Sequence, residues 1–363
     1  MSDFHIDPDI RKAKTLASEF YTDERYFDLS REKIFAQTWQ FLGHANGLNV
    51  LTPITLLPGF LAEPVLIVRE NDSISCISNV CTHRGKILVE EPCDASLIRC
   101  GYHGRRFSLD GKFMSMPEFE GVEDFPAKSD DLRQISTANR DGFLFASIDP
   151  VAEFDSFIGD AAFAFAEMKQ PLEFRSKREY EVNAHWALYC ENYLEGFHIP
   201  YVHPSLNAIV DYGSYMTETF RYSSLQTALS GPPVSEDGPK GVGQTASASV
   251  AARYLFIFPN LMFNFYSWGV SVNVVRPVSP SKTIVEFLTY VSDESKLDKG
   301  AGADLHSVEM EDEAVVESVQ KGIRSRFYSH GRYSPTREQG THHFHRLIAE
   351  FMGDESIEYG QHY

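Results

Sequence analysis

The chain has 363 residues, 43% of them hydrophobic and 23% charged, and a formal net charge of −18 at pH 7. That length exceeds one ordinary hydrophobic core and points to two domains. A surface this acidic repels phosphate backbones, which argues against a nucleic-acid partner and leaves cationic substrates and basic redox partners open. No apolar run reaches the roughly 18 residues that a membrane helix needs. The start, Met1 to Asp7, is too polar and acidic for a secretory signal. Five cysteines at irregular spacing do not form a disulfide framework. Thiolates of that kind suit a reducing cytoplasm.

Residues 1–40 read as helical. Asp7-Pro8 opens one helix, with Ile10, Ala13, Leu16 and Phe20 at helical spacing, and Ser30 opens another that carries Ile34, Phe35 and Trp39. Residues 41–150 change character. Short apolar runs at Val65–Val68, Ile74–Ile77, Phe107–Leu109 and Gly142–Ala146 alternate with turn residues, and Leu109-Asp-Gly-Lys112 signals a hairpin. Residues 151–170 suggest a linking helix. From 171 to 363 strands and helices mix. Tyr180–Val182 is strand-like and a helix follows from about Asn183. A loop by composition spans 230–247. Strand-like runs follow at Tyr254–Phe258, Leu261–Tyr266, Val270–Val275 and Ile284–Tyr290. Two helices close the chain, near 305–328 and 336–352. The pattern predicts an all-β domain over 41–150 and an α+β domain over 151–363 whose central antiparallel sheet is flanked by helices. The helices of 1–40 are expected to pack with the latter.

Cys81-x-His83 and Cys100-x-x-His103 are separated by sixteen residues. Each pair offers one thiolate and one imidazole. Together they can hold a pair of bridged irons, two Cys on one and two His on the other, which raises the cluster potential. Gly85, Gly101 and Gly104 suit tight loops around such a group. A Cys2His2 zinc site has the same ligand count, but zinc fingers usually place Cys-x-x-Cys before the histidines. Cys76, Cys93 and Cys190 fit no ligand spacing and read as buried small residues or free thiols.

A second constellation lies at His198 and His203. Two imidazoles and a carboxylate on one face of an iron, with open positions, is the arrangement for O2 activation. The spacing of five does not align on a regular helix, and Pro200 is expected to distort it. The carboxylate must come from elsewhere. On the helix near 307–328 the apolar stripe is Val308, Val315, Val316, Val319, Ile323 and Phe327, and Asp312 falls on it. Glu311 is the alternative. Glu195 shares a helix face with His198, and Asn192 is a further polar neighbour. Phe263, Phe265, Tyr266 and Trp268 suggest a pocket that suits a cation over aromatic faces or a flat ring, or simply core. His342, His343 and His345 point in different directions on a helix, so they read as interface or surface rather than as one metal site.

Cys-Thr-His-Arg-Gly followed by Cys-Gly-Tyr-His-Gly-Arg-Arg-Phe-Ser-Leu-Asp-Gly resembles the Rieske domain of the ring-hydroxylating oxygenase family. Glu-Asn-Tyr-Leu-Glu-Gly-Phe-His-x4-His-Pro resembles the family's mononuclear iron motif, and the stretch Glu311–Gln320 resembles the segment that supplies its third ligand. Many members have Trp where this chain has Arg105, a position outside the ligand set. The resemblance implies a catalytic subunit with a [2Fe-2S] Rieske cluster on Cys81, His83, Cys100 and His103. It implies Fe(II) on His198, His203 and Asp312, with O2 as co-substrate. No dinucleotide fingerprint is present, so electrons from NAD(P)H would arrive through a separate reductase, with or without a ferredoxin. The resemblance further implies a homotrimer, because the two sites within one subunit are too far apart for fast transfer. Electrons would pass from His83 or His103 through Glu195 to a neighbour's iron. Glu at 195, where well-known members use Asp, resembles the branch acting on quaternary ammonium compounds, such as choline and carnitine monooxygenases. Monooxygenation, including oxidative N-demethylation, is the preferred reading. Aromatic cis-dihydroxylation is the alternative, and a Rieske electron carrier without oxygenase activity is the distant one.

Overall fold

The computed structural model describes residues 4–353 apart from 167, 169–170, 209–211, 230–249, 298, 300–301 and 303–304. The loop expected over 230–247 lies outside the described residues. The chain divides into two compact units: Phe35–Phe154, and Met1–Ile34 joined to the chain from Asp155 onward.

The N-terminal segment is less helical than its apolar spacing suggests. Residues 9–12 form a turn in which Asp9 accepts from the backbone N–H of Arg11. Lys14 then bridges to Arg332 as extended chain. Only α1 (Ser18–Thr22) and α2 (Glu24–Ser30) are α-helical. Asp23 separates them because its side chain caps α2 through the N–H of Arg25. Ser30 ends α2 instead of opening a helix, and a π-helical turn over Arg31–Phe35 follows.

The unit Phe35–Phe154 is all β. Six antiparallel strands are β1 (Gln40–His44), β2 (Leu51–Leu56), β3 (Glu63–Glu70), β4 (Ser73–Ser78), β8 (Gln134–Arg140) and β9 (Phe143–Ser147). Their order is β1-β9-β8-β4-β3-β2. Between β4 and β8 a small sheet forms from β5 (Ile98–Arg99), β6 (Arg106–Phe107) and β7 (Phe113–Ser115). The expected hairpin joins β6 to β7, with the N–H of Ser108 donating to Lys112 O at 2.9 Å and Gly111 at φ +81°. Val65–Val68 are buried on both faces of β3, which explains their continuous apolar run.

The other unit opens with α3 (Phe154–Ile158) and α4 (Phe163–Ala166) in place of one linking helix. They are split by a 3-10 turn that starts at Gly159, φ +53°. A seven-stranded antiparallel sheet follows. It contains β10 (Glu173–Val182), β11 (Met216–Thr219), β12 (Ser223–Leu229), β13 (Val250–Ile257), β14 (Leu261–Tyr266), β15 (Gly269–Ser279) and β16 (Lys282–Val291). Its order is β10-β16-β15-β14-β13-β12-β11. The helices are α5 (Trp186–Tyr193), α6 (Ile199–Val202), α7 (Pro204–Asn207), α8 (Leu305–Gly322) and α9 (Gln339–Gly353). Side chains stitch α8 to the start of α5. Glu317 accepts from the N–H and Nδ2 of Asn183 at 2.9 and 2.8 Å, and Gln320 accepts from the N–H of His185 at 2.8 Å.

Candidate metal centres and substrate cleft

In the all-β unit, two loops carry the Cys/His pairs and close in the same way. The N–H of Gly85 donates to Cys81 O at 2.9 Å, and that of Gly104 to Cys100 O at 3.1 Å. Both glycines are left-handed, at φ +69° and +75°, where a side chain would be strained. The ring centroids of His83 and His103 lie 4.7 Å apart. Both cysteines are buried and both histidines half-buried. Burial raises the pKa of the Cys81 thiol. At Cys100 burial is outweighed by the backbone N–H of Tyr102, the Cys81 thiol and the N–H of His103, so its pKa falls. Nδ1 of His103 is buried without a hydrogen-bond partner. Two adjacent thiols, two adjacent imidazoles and an orphaned ring nitrogen fit a two-iron cluster of mixed ligation.

Arg105 directly follows the second loop. It is 2% exposed, meets Asp130 at 2.5 Å, and lies 4.9 Å from the Phe113 ring centroid and 5.5 Å from that of Phe125. The position is therefore filled by a paired, aromatic-flanked cation.

In the second unit, His198 precedes α6 and His203 ends it. Pro200 sits in the first turn of α6, where proline is tolerated, so it does not kink the helix as expected. The break comes from Pro204, which forces His203 out of the helical region to φ −117°, ψ 77°. That turn brings both rings toward α8. Nε2 of His203 lies 3.0 Å from Asp312 Oδ1, and Nε2 of His198 lies 3.5 Å from the same atom. One ligand atom from each of the three residues falls within 4.8 Å of the others. The opposite ring nitrogens are held by other acids. Glu195 Oε1 meets His198 Nδ1 at 2.7 Å, and Glu311 Oε2 meets His203 Nδ1 at 2.7 Å. Glu195 also accepts the backbone N–H groups of Phe197 and His198. Burial disfavours a charged His203, but Asp312 and Glu311 overcome it and raise its pKa. With Nδ1–H committed to a carboxylate, each ring presents Nε2 as a lone pair. This donor set fits a divalent iron with open positions.

The buried face of α8 runs through Glu309, Val316 and Gln320, with Asp312 between, and Ile323 is buried just past its end. Two members of the expected stripe do not belong to it: Val319 is 43% exposed on α8, and Phe327, 94% exposed, lies past the helix end at Gly322, six residues short of the expected 328. Glu309, which the periodicity left outside the stripe, is 4% exposed.

The three convergent groups open on a cleft of about 110 Å³. Asn192, Tyr189 and Tyr193 of α5 line it, with Tyr215, Glu195 and Glu309. Its sheet side is set by register. Tyr254 pairs with Asn264, Asn264 with Ser271, and Asn273 with Phe287, and all five side chains line the cleft. Tyr193 donates to Asn264 Oδ1 at 2.9 Å, and Asn264 Nδ2 and Ser271 Oγ both donate to Asn273 Oδ1. Of the four aromatics expected here, only Tyr266 lines the cleft. Phe263 and Phe265 alternate to the opposite face of β14 and pack on Phe165. Trp268 is buried behind Tyr266, with ring centroids 5.0 Å apart.

The histidines of α9 are not at a surface. His345 is 0% exposed, with Nδ1 at 2.6 Å from the Tyr333 hydroxyl and Nε2 at 3.0 Å from Glu191. His342 bonds the carbonyl of Asp7 at 2.8 Å. His342 and His345 are core polar groups satisfied by partners, whereas His343 is half-buried and its Nε2 has no hydrogen-bond partner among the described residues. Among the other cysteines, Cys76 and Cys190 are buried and Cys93 is exposed.

The two donor sets define an oxidoreductase with an iron–sulfur centre and a mononuclear iron. The Rieske [2Fe-2S] domain family matches residues 39–126, and the ring hydroxylating alpha subunit (catalytic domain) family matches 170–354. The chain belongs to the ring-hydroxylating alpha-subunit family. It is similar to choline monooxygenase of Arabidopsis thaliana, at 29% identity over 94% of this chain and 84% of that one. It is also similar to the carnitine monooxygenase oxygenase subunit of Escherichia coli K12, at 28% identity over 95% of both. The crystal structure of the quaternary ammonium Rieske monooxygenase CntA with L-carnitine superposes with a TM-score of 0.75, 26% identity and coverage of 95% and 97%. Naphthalene 1,2-dioxygenase shares the fold, with a TM-score of 0.70 at 19% identity. The chain is thus a Rieske-type oxygenase, with a Rieske cluster, a mononuclear iron and O2 as co-substrate. No helix among the described residues is long and apolar enough to cross a membrane.

Proposed function

We propose that this oxygenase hydroxylates a small quaternary ammonium substrate, including by oxidative N-demethylation, with electrons from a separate NAD(P)H-dependent reductase. The observation that carries the reading is the convergence of His198, His203 and Asp312 on a cleft lined by tyrosines. Cys81, Cys100, His83 and His103 would hold the cluster, and the convergent triad the iron. When bound, the iron supplies O2 activation and the cluster supplies single electrons.

The chain's own residues do the rest. Glu195 and Glu311 fix the tautomers of the two histidines. The faces of Tyr193, Tyr254 and Tyr266 suit an alkylammonium group. Asn192 borders the same space and is placed to orient a bound substrate. Glu195 also links the triad to the route by which electrons would arrive, from His83 or His103 of a neighbouring copy in a homotrimer. The reducing cytoplasm is the compartment we assign, since all five cysteines are free.

Turnover of choline and carnitine with a surrogate reductase, followed by mass spectrometry of the products, tests the reading. Oxygen from O2 in the product of either ammonium compound is expected. Dihydrodiol from an aromatic hydrocarbon, with neither ammonium oxidised, would favour ring dihydroxylation instead.

A further inference from the structure

The cleft contains an acid that the triad does not use. Glu309 lies one helical turn before Asp312, is 4% exposed and lines the same cleft. The Tyr189 hydroxyl donates to its Oε2 at 2.6 Å, while Oε1 is buried with no hydrogen-bond partner. Burial pushes its carboxyl well above the usual carboxylate range, and a cation beside it would favour the ionised form. A half-satisfied buried carboxyl destabilises the fold unless something else compensates it. Glu195 is committed to His198, and Asp312 to the two Nε2 atoms. Neither Lys nor Arg lines the cleft among the described residues.

We propose that Glu309 is the counter-ion for the substrate's positive centre, and that the substrate is a small monocation without a carboxylate. This rests on the quaternary ammonium reading above. A cation seated among the tyrosines supplies the partner that Glu309 lacks. A zwitterion such as carnitine would also bring an anion into a cleft that offers it no basic side chain. A hydroxyl, by contrast, meets neutral polar groups at Asn192, Ser271 and Asn273.

Binding to the anaerobic holoenzyme tests this, using choline, L-carnitine and dimethylbutanol, the uncharged carbon isostere of choline. Choline should bind at least about tenfold tighter than either of the others. Glu309→Gln keeps the volume and an acceptor for Tyr189. It should weaken choline at least about tenfold and leave dimethylbutanol within about twofold. Iron content and the visible spectrum report whether the variant is intact. Carnitine binding as tightly as choline, or Glu309→Gln weakening choline and dimethylbutanol alike or neither, overturns the proposal. Should the variant not fold, the three-ligand comparison on the unsubstituted enzyme decides. If no ammonium compound is turned over, the broader reading fails. If one is oxidised and Glu309→Gln binds it normally, only the role of Glu309 fails.

Discussion

Glu311 and Asp312 are consecutive, yet they meet opposite nitrogens of one imidazole. Glu311 holds His203 Nδ1 at 2.7 Å and Asp312 lies 3.0 Å from Nε2. The His203 side chain is 1% exposed, whereas that of Glu311 is 39% exposed. The buried ring is therefore aimed by an acid at the rim. Glu311→Ala keeps all three convergent groups but frees the ring to turn and to change tautomer. Partners of this kind are typically worth 10–100-fold in metal affinity. Anaerobic Fe(II) titration should show a loss of about that size for Glu311→Ala, with the cluster spectrum unchanged. Unaltered iron affinity would mean that Glu311 is only a surface charge. The sequence made both acids candidates for one role, because adjacent residues differ by about 100° around a helix and the stripe alone placed Asp312 inward. It could not reveal that Glu311 reaches around the ring, since that depends on where His203 lies. Glu309 escaped for a similar reason. It lies away from the centre of the apolar stripe, so it reads as solvent-facing until the Tyr189 hydroxyl beside it is known.

At the scale of elements, α5 starts from an unusual cap. Nδ1 of His185 accepts from the N–H of Ala187 at 3.3 Å, which requires a neutral ring. The side chain is fully buried and its pKa falls to about 3 because burial penalises the charged form. In the unfolded chain the same group titrates near 6.5. Between those values the unfolded state binds a proton that the folded state does not, so stability drops as pH falls below about 6.5. From pH 6.5 to 5 this one group should remove about 2 kcal/mol. His185→Asn retains a capping acceptor and no longer titrates, so its unfolding free energy should vary less over that range. Denaturant melts at both pH values measure the difference, and equal slopes for the two proteins would exclude His185 as the source. The helix itself was legible to within three residues of its start, as were β14 to β16 and the hairpin at Leu109–Lys112, while β13 starts four residues before the expected Tyr254. Each carries a strong period or a turn signal. β11 and β12 were not. β11 is largely exposed, and β12 (Ser-Ser-Leu-Gln-Thr-Ala-Leu) is buried but polar, so neither alternates. The segment after Asp7-Pro8 failed in the other direction. Its helical spacing was real, but local side-chain bonds and pairing with Arg332 prevailed.

Considered as a whole molecule, the chain keeps its two donor sets on separate compact units, Cys81 to His103 in one and His198, His203 and Asp312 in the other. In the first, the cysteines are buried and the histidines face outward, next to Tyr102 at 57% exposure. In the second, Phe197 and Tyr201 are 38% and 79% exposed beside His198. Exposed aromatics next to both redox centres are what a head-to-tail contact between copies would cover, and such contacts give rings where the rotation closes. The proposed homotrimer would then place one copy's histidines against the next copy's Glu195, which already grips His198. Subunit mixing separates this route from one confined to a single copy. Cys100→Ser removes the cluster and keeps the triad, while Asp312→Ala does the reverse. Each variant alone should be inactive. Dissociated and reassembled in equal amounts, half of the intact triads would have a neighbour with an intact cluster. Since half of the triads are intact, activity should return to about a quarter of the unsubstituted level. Mixtures that stay inactive while exchange of labelled subunits is complete would confine transfer to one chain. They would also leave the outward-facing histidines of the all-β unit for the reductase alone.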